Sequence, residues 1–303
     1  MAWFRKKKTG IKVLSISPPE PQQNRWGIGI ALCVRDEEAY IAEWARFHKA
    51  IGVRHFIVYD NGSSDETAKA IQAAVGRDYV TIIPWAGQVR STKTEQLIDG
   101  QALAFAHAIL NFGGKFDRMA FIDADEFLLP RTGFTLDEAL KATGGFPNIS
   151  LPWHMFGTSG HTSRPMGPVT SNYTRRSADP MSRRAHVTNF KCIVDPCEVT
   201  EVSVHQFKTR TYGDLTSNDA GYRTTRDGRK ERRFYSNSNL QLNHYYSKSR
   251  EEMATKIARG SNYAVSATDL LEKMKSTLRD IEQDEVEDRS MVDFLSRHST
   301  ELD

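Results

Sequence analysis

Four short apolar runs alternate with three amphipathic stretches over the first 125 residues, and few folds accommodate that alternation. Ile28–Val34, Val53–Tyr59, Val80–Ile83 and Met119–Ile122 have the length and composition of buried strands. Between them, Glu37–Ile51 carries apolar residues at Ile41, Trp44, Ala45 and Phe47. Asp65–Val75 has Ser63 or Ser64 placed to cap it, and Thr94–Phe112 is rich in Ala and Leu. All three are expected to be helices. Strand, helix, strand, helix, strand, helix, strand is the order of a mostly parallel α/β sheet covered on both faces. Ligands of such sheets bind beyond the C-terminal ends of the strands. The polar residues there are Arg35-Asp36-Glu37, Asp60-Asn61-Gly62 and Asp123-Ala124-Asp125.

The last of these is the sharpest signal. Residues two apart on a strand point to the same side, so Asp123 and Asp125 are expected side by side. Two carboxylates at the end of a buried strand repel each other and need a counter-charge. A divalent cation supplies it: Mg²⁺ or Mn²⁺ is held by one or two carboxylates and shares its other positions with substrate phosphates. The same letters fit a polar turn with Glu126 as a cap. The apolar lead-in Met119-Ala120-Phe121-Ile122 argues against that, because the pair emerges from the core. Asp60 can accept hydrogen bonds from a nucleobase edge or a ribose hydroxyl, or serve as an Asx turn. Arg35 can meet a diphosphate or sit at the sheet rim.

Beyond residue 150 the pattern loosens. Ile149–Trp153, Lys191–Val194 and Val199–Val204 are expected strands, 157–190 long loops, and 211–235 an Arg-rich loop ordered by ligand. Ser249–Arg259 and Asp269–Ile281 are expected helices. Residues 1–25, with Pro18, Pro19 and Pro21, read as a flexible leader, within which Trp3-Phe4 beside Arg5, Lys6, Lys7 and Lys8 offers peripheral contact with an anionic membrane surface. A net charge of +3 hides segregation: 164–233 holds 14 Lys and Arg against 8 Asp and Glu, whereas 265–303 holds 5 against 11. The middle of the chain thus suits an anionic partner. No apolar run reaches the ~18 residues of a membrane span. Three cysteines, Cys33, Cys192 and Cys197, make no disulfide framework, and with no secretory signal in view a cytoplasmic location is expected.

The stretch from Ala31 to Thr67, followed by Phe116–Pro130, resembles the GT-A glycosyltransferases, and is closest to the family 2 and family 92 type. Trp153–Gly160, Lys191–Pro196 and Asn243–Ser249 are similar to later blocks of that type, so the resemblance spans about 27–260. It implies a GT-A domain over 26–260 with a helical tail over 261–303. It implies a nucleotide-sugar donor, most simply a UDP-sugar, a Mn²⁺ or Mg²⁺ cofactor, a glycan or lipid-linked acceptor, no nucleic acid, and inversion at the anomeric carbon. Arg35, Glu37 and Asp60 would line the nucleotide pocket. Asp123 would lie nearer the ribose and Asp125 on the metal, with His244 completing the coordination and His205 as its competitor. Lys191 and Lys248 would neutralise the diphosphate, and Trp153 with His154 would form an acceptor platform. For the catalytic base the choice is Asp179 over Asp195, Glu198 and Glu201, with His154 and His161 as rivals. Two other readings remain at this point: an Asp-X-Asp phosphotransferase, and a polyanion-binding module built on the arginines of 164–233.

Overall fold

The computed structural model describes residues 10–184, 187–258 and 267–302. After a two-residue strand β1 (Leu14–Ser15) the expected alternation follows: β2 (Ile28–Val34), α1 (Glu38–Ala50), β3 (Val53–Asp60), α2 (Thr67–Val75), β4 (Val80–Pro84), α3 (Gly100–Phe112) and β5 (Arg118–Phe121). The strands pair in parallel in the order β5-β2-β3-β4. Successive side chains enter opposite cores. Ile30, Leu32, Phe56 and Val58 pack with Ile41 and Trp44 of α1, whereas Ala31, Ile57 and Tyr59 pack with Phe105 and Ile109 of α3. Burial on both faces is why these strands are continuous apolar runs. Helix α3 begins at Gly100 instead of Thr94, because Asp99 caps it by accepting from the backbone N–H groups of Gln101 and Ala102.

The second half adds β6 (Glu126–Pro130), α4 (Leu136–Leu140), β7 (Asn148–Met155), α5 (Val169–Asn172), β8 (Arg175–Ser177) and β9 (Phe190–Val194). It continues through β10 (Val199–Ser203), β11 (Gln206–Thr209), β12 (Leu215–Ser217), β13 (Arg223–Thr225) and β14 (Leu240–His244). The chain then runs through α6 (Arg250–Ala258), α7 (Ala267–Glu282), β15 (Glu285–Glu287), α8 (Ser290–Arg297) and α9 (Ser299–Leu302). Strand β9 lies antiparallel between β5 and β7 and so extends the parallel half. Strand β14 runs parallel to β7 and antiparallel to β6. These pairings bring the C-terminal end of β14 beside the turn that follows β5.

Three expectations change. Residues 10–25 are no loose leader: β1 pairs with β10, Leu14 and Ile16 pack on the α3-side core, and Arg25 makes a two-pronged contact with Asp195. Trp3, Phe4 and the basic residues beside them lie outside the described residues, as does Arg259. Segment 211–235, expected as a loop, holds β12 and β13. β12 pairs with β7, and the buried Arg229 donates to Ser150 Oγ (3.0 Å) and the His205 carbonyl (2.9 Å) over the Phe190 ring. The tail is no appendage either, because Met291 and Phe294 of α8 enter the α1-side core.

The segregated charges meet each other. β15 pairs antiparallel with β8, and Arg175, Arg176 and Arg184 bind Glu285, Asp288 and Asp284. Three arginines of the basic middle thus find their anionic partners in the chain's own acidic tail. The innermost pair is Arg176–Asp288, 2.6 Å apart and nearly buried. Burial pushes the Asp288 carboxyl up, but Arg176 and Ser290 bring it from 3.8 down to about 2. Arg176→Met leaves that carboxylate buried with Ser290 and Gln241 but without a counter-charge, and should cost about 3 kcal/mol. The stability that Asp288 contributes is present above its ordinary value and lost as pH falls from 3.8 towards 2. Urea unfolding at neutral pH and at pH 3 tests this: the gap between wild type and Arg176→Met should narrow in acid. A constant gap would show that the pair contributes through packing alone.

Candidate active site

Asp123-Ala124-Asp125 forms a tight turn between β5 and β6, beyond the end of the strand on which it was expected. Glu126 closes the turn: its N–H donates to the Asp123 carbonyl (3.1 Å), and its Oε2 accepts from the Asp123 N–H (2.8 Å). Because the two aspartates sit in a turn, their carboxylates look to different cations. Asp123 accepts from Lys191 Nζ (2.8 Å) and Gln101 Nε2 (2.7 Å). Asp125 accepts from Lys256 Nζ (2.8 Å), and its other oxygen lies 3.4 Å from His244 Nε2. Burial raises the Asp125 carboxyl, but Lys256, His244 and Lys248 more than offset it and hold it well below the usual range. Burial likewise opposes ionisation of Asp123, and Lys191 outweighs it.

Lys191 is 1% exposed, at the middle of the sheet, with Glu126 Oε2 3.7 Å away and itself fully buried. Burial alone would lower this ammonium, but Asp123 and Glu126 hold it above its ordinary value. It supports the turn from beneath and stands too deep to act on a diphosphate leaving group. Lys248 is a rim residue: its backbone is left-handed (φ 50°), and its Nζ lies 3.7 Å from Glu37 and 3.5 Å from the Tyr40 ring centroid.

The remaining expected residues divide. Glu37 heads α1, with its N–H on Thr67 Oγ1. Arg35 is half exposed, 3.8 Å from Asp36. Asp60 ends β3 and accepts from the Ser63 N–H three residues on, across a loop in which Gly62 has a positive φ (76°). All three lie at the C-terminal edge of the parallel strands. Trp153 stands over the site, 4.5 Å from the His244 ring and 5.4 Å from that of His205. Its neighbour His154 does not join it, because strand alternation turns it to the other face. There it is buried against the Tyr235 hydroxyl (3.1 Å), and burial lowers it to about 3. His205 binds the Phe190 carbonyl through Nδ1. His161 binds the Asn172 carbonyl. Asp179 is engaged by its own turn, at the Met181 N–H, and by Arg232 (2.7 Å), and none of its bonds reaches the carboxylate pair.

Sequence reasoning missed Gln101, Glu126 as a buried acid, and Lys256. A charged letter opening the apolar run Glu126-Phe127-Leu128-Leu129 was a signal for the second. Lys256, one lysine among several on a polar helix, gave none. Among the described residues no group of three His, Cys, Asp or Glu is assembled as a metal cage. Asp125 Oδ1 nevertheless lies 3.4 Å from His244 Nε2, while His244 Nδ1, on the Glu126 side of the ring, finds no hydrogen-bond partner.

Burial raises the Glu126 carboxyl from 4.5 to about 7, with Lys191 acting against it and Asp123 adding to it. The folded state therefore holds this proton more tightly than the unfolded chain. In metal-free protein the group removes stability as pH rises from 4.5 to about 7, by up to about 3 kcal/mol. Glu126→Gln keeps the acceptor without the charge and should flatten that slope. Unfolding free energies measured at intervals between pH 4 and 8 check it, and parallel curves for the two proteins would refute it.

The sequence pattern of "Glycosyltransferase family 92" matches residues 29–284. A family 92 protein of Oryza sativa subsp. japonica is 30% identical over 199 residues, 61% of this chain and 32% of that one. One of Ricinus communis is 28% identical over 190 residues, 59% and 32% of the two chains. The chain thus spans about a third of the length of these relatives. Among solved structures, glucosyl-3-phosphoglycerate synthase from Mycobacterium tuberculosis, in complex with Mn²⁺ and UDP-glucose, is 22% identical over 44% of each chain with a TM-score of 0.25. The match to the family pattern covers most of the chain, from β2 to the end of α7, and takes in the whole carboxylate turn: the chain belongs to glycosyltransferase family 92.

Proposed function

We propose that this chain is the catalytic unit of a metal-dependent hexosyltransferase that uses a UDP-sugar. It transfers the sugar with inversion onto a hydroxyl of a glycan or lipid-linked acceptor. Family membership supports glycosyl transfer. The observation that carries the metal is the 3.4 Å approach of Asp125 Oδ1 to His244 Nε2 at the ligand edge of the sheet. Two neighbouring ligands of one Mg²⁺ or Mn²⁺ ion, each about 2.1 Å from it, stand roughly 3 Å apart. Two protein ligands suffice where substrate phosphates supply others. Bound there, the ion would neutralise the charge that grows on the diphosphate as the bond to the anomeric carbon breaks.

The chain's own residues set the stage for that displacement. Asp123 is fixed by Gln101 and Lys191, so one carboxylate is pre-aimed for the ribose hydroxyls without reorganisation. Arg35, Glu37 and Asp60 border the place where the nucleoside would lie. Trp153 offers a half-buried ring beside His244 on which a sugar face can stack. His154 and Asp179 take no part in this reading.

Asp125→Asn should abolish Mn²⁺-dependent UDP binding while the protein stays folded. It removes one of two ligands and also relieves carboxylate repulsion. His244→Ala should weaken the metal dependence more than His205→Ala, since His205 is tied to the Phe190 carbonyl. Titration calorimetry with UDP and Mn²⁺ measures both. Unchanged affinity in Asp125→Asn would remove the metal from this site. A larger effect of His205→Ala would exchange the two histidines.

A further inference from the structure

Each aspartate of the turn carries a lysine, but the two lysines are held very differently. Lys191 is 1% exposed, rises from the central strand β9, and also faces Glu126. It has nowhere else to go. Lys256 comes from α6, is 40% exposed, and makes one carboxylate contact, 2.8 Å to Asp125 Oδ2. Its other neighbours are the Tyr246 carbonyl at 3.4 Å and the Tyr246 ring at 5.2 Å. Asp125 is also the residue that faces His244. A cation arriving between Asp125 and His244 would meet the Lys256 ammonium already in place.

We propose that Lys256 is a built-in counter-ion of the donor site: it occupies Asp125 in the empty protein and transfers to the diphosphate when metal and nucleotide arrive together. This rests on the metal-dependent reading above. The charges require the exchange. Metal alone adds two positive charges beside an ammonium that Asp125 already neutralises, so it binds against repulsion. A nucleoside diphosphate brings anionic oxygens to the same place, and the long, half-exposed lysine side chain can turn to them without moving the sheet. Lys248, which also acts on Asp125 and borders the site at Glu37, adds a second cation on the same side. Metal and nucleotide therefore bind cooperatively, and by linkage each tightens the other by the same factor.

The test is titration calorimetry of the full chain with Mn²⁺ alone, and with UDP in the presence of Mn²⁺, for wild type, Lys256→Met and Lys256→Arg. In wild type, UDP should strengthen Mn²⁺ binding by about tenfold or more. Lys256→Met should move the two affinities in opposite directions, Mn²⁺ alone tighter and UDP with Mn²⁺ weaker, each by about fivefold or more. Lys256→Arg should keep the wild-type pattern. A structural role for Lys256 would weaken both affinities together, and that result, or no change in either, overturns the proposal. Lys256→Gln serves in place of Lys256→Met if thermal melting shows the latter to be unfolded. Wild-type protein that binds no UDP with Mn²⁺ would overturn the functional reading and this inference with it. Wild type that binds, beside a Lys256→Met variant with unaltered coupling, overturns this inference alone.

Discussion

The buried ammonium of Lys191 is the interaction on which the site end of the fold depends. Two acids, Asp123 and Glu126, stand within 3.7 Å of it, and Glu126 also bonds the backbone of the turn that carries Asp123 and Asp125. An isolated charge at that depth would be several kcal/mol unfavourable, and so would either carboxylate without it. Together they fix the direction in which β5 ends and β6 begins. The antiparallel insertion of β9 between β5 and β7 places Lys191 under the turn, and β14 delivers His244 alongside it. The pairing of strands and the neutralisation of carboxylates are thus one constraint.

A second electrostatic fact governs the far side of the molecule. The basic middle and the acidic tail, which look independent when counted separately, meet in three ion pairs, one of them nearly buried. β15 adds itself to β8, and the arginines of β8 find one acid at the start of β15 and one just after its end. Arg229 is buried, and Arg176 and Arg184 are partly buried in these contacts.

The parallel half was legible in the sequence because its strands are buried on both faces and its helices on one. That gives an unbroken apolar run for each strand and a 3.6-residue period for each helix. Ile28–Val34 matches residue for residue. The antiparallel half was less legible. Its strands are short, and their partners, such as β6 with β14, are more than a hundred residues apart. Asp123, Asp125 and His244, which the fold brings to one edge of the sheet, were singled out because strand ends and an apolar lead-in constrain them. His154 was misplaced although the period of two could have separated it from Trp153, since one of two adjacent residues in a strand must face away. Lys256 was out of reach of any local rule. It enters the site from a helix 131 positions beyond its carboxylate, and only the tertiary fold brings the two together.

The turn therefore makes two chemically identical aspartates unequal. Asp123 has its charge answered by a lysine locked in the sheet, and by Gln101, so it can keep one orientation whether or not a ligand is present. Asp125 has its charge answered by a half-exposed lysine and lies 3.4 Å from His244 Nε2, so its partner can be replaced. A fixed carboxylate suits recognition of a neutral hydroxyl, which needs a stationary acceptor. An exchangeable one suits a cation that must come and go with each donor molecule. The difference lies in what each neighbouring strand or helix can hold rigid: β9 is buried on both sides, whereas α6 rests on the fold through Met253 as its buried residue. In the proposed reading, the separation of roles along the Asp-X-Asp turn follows from the burial of the lysines behind it.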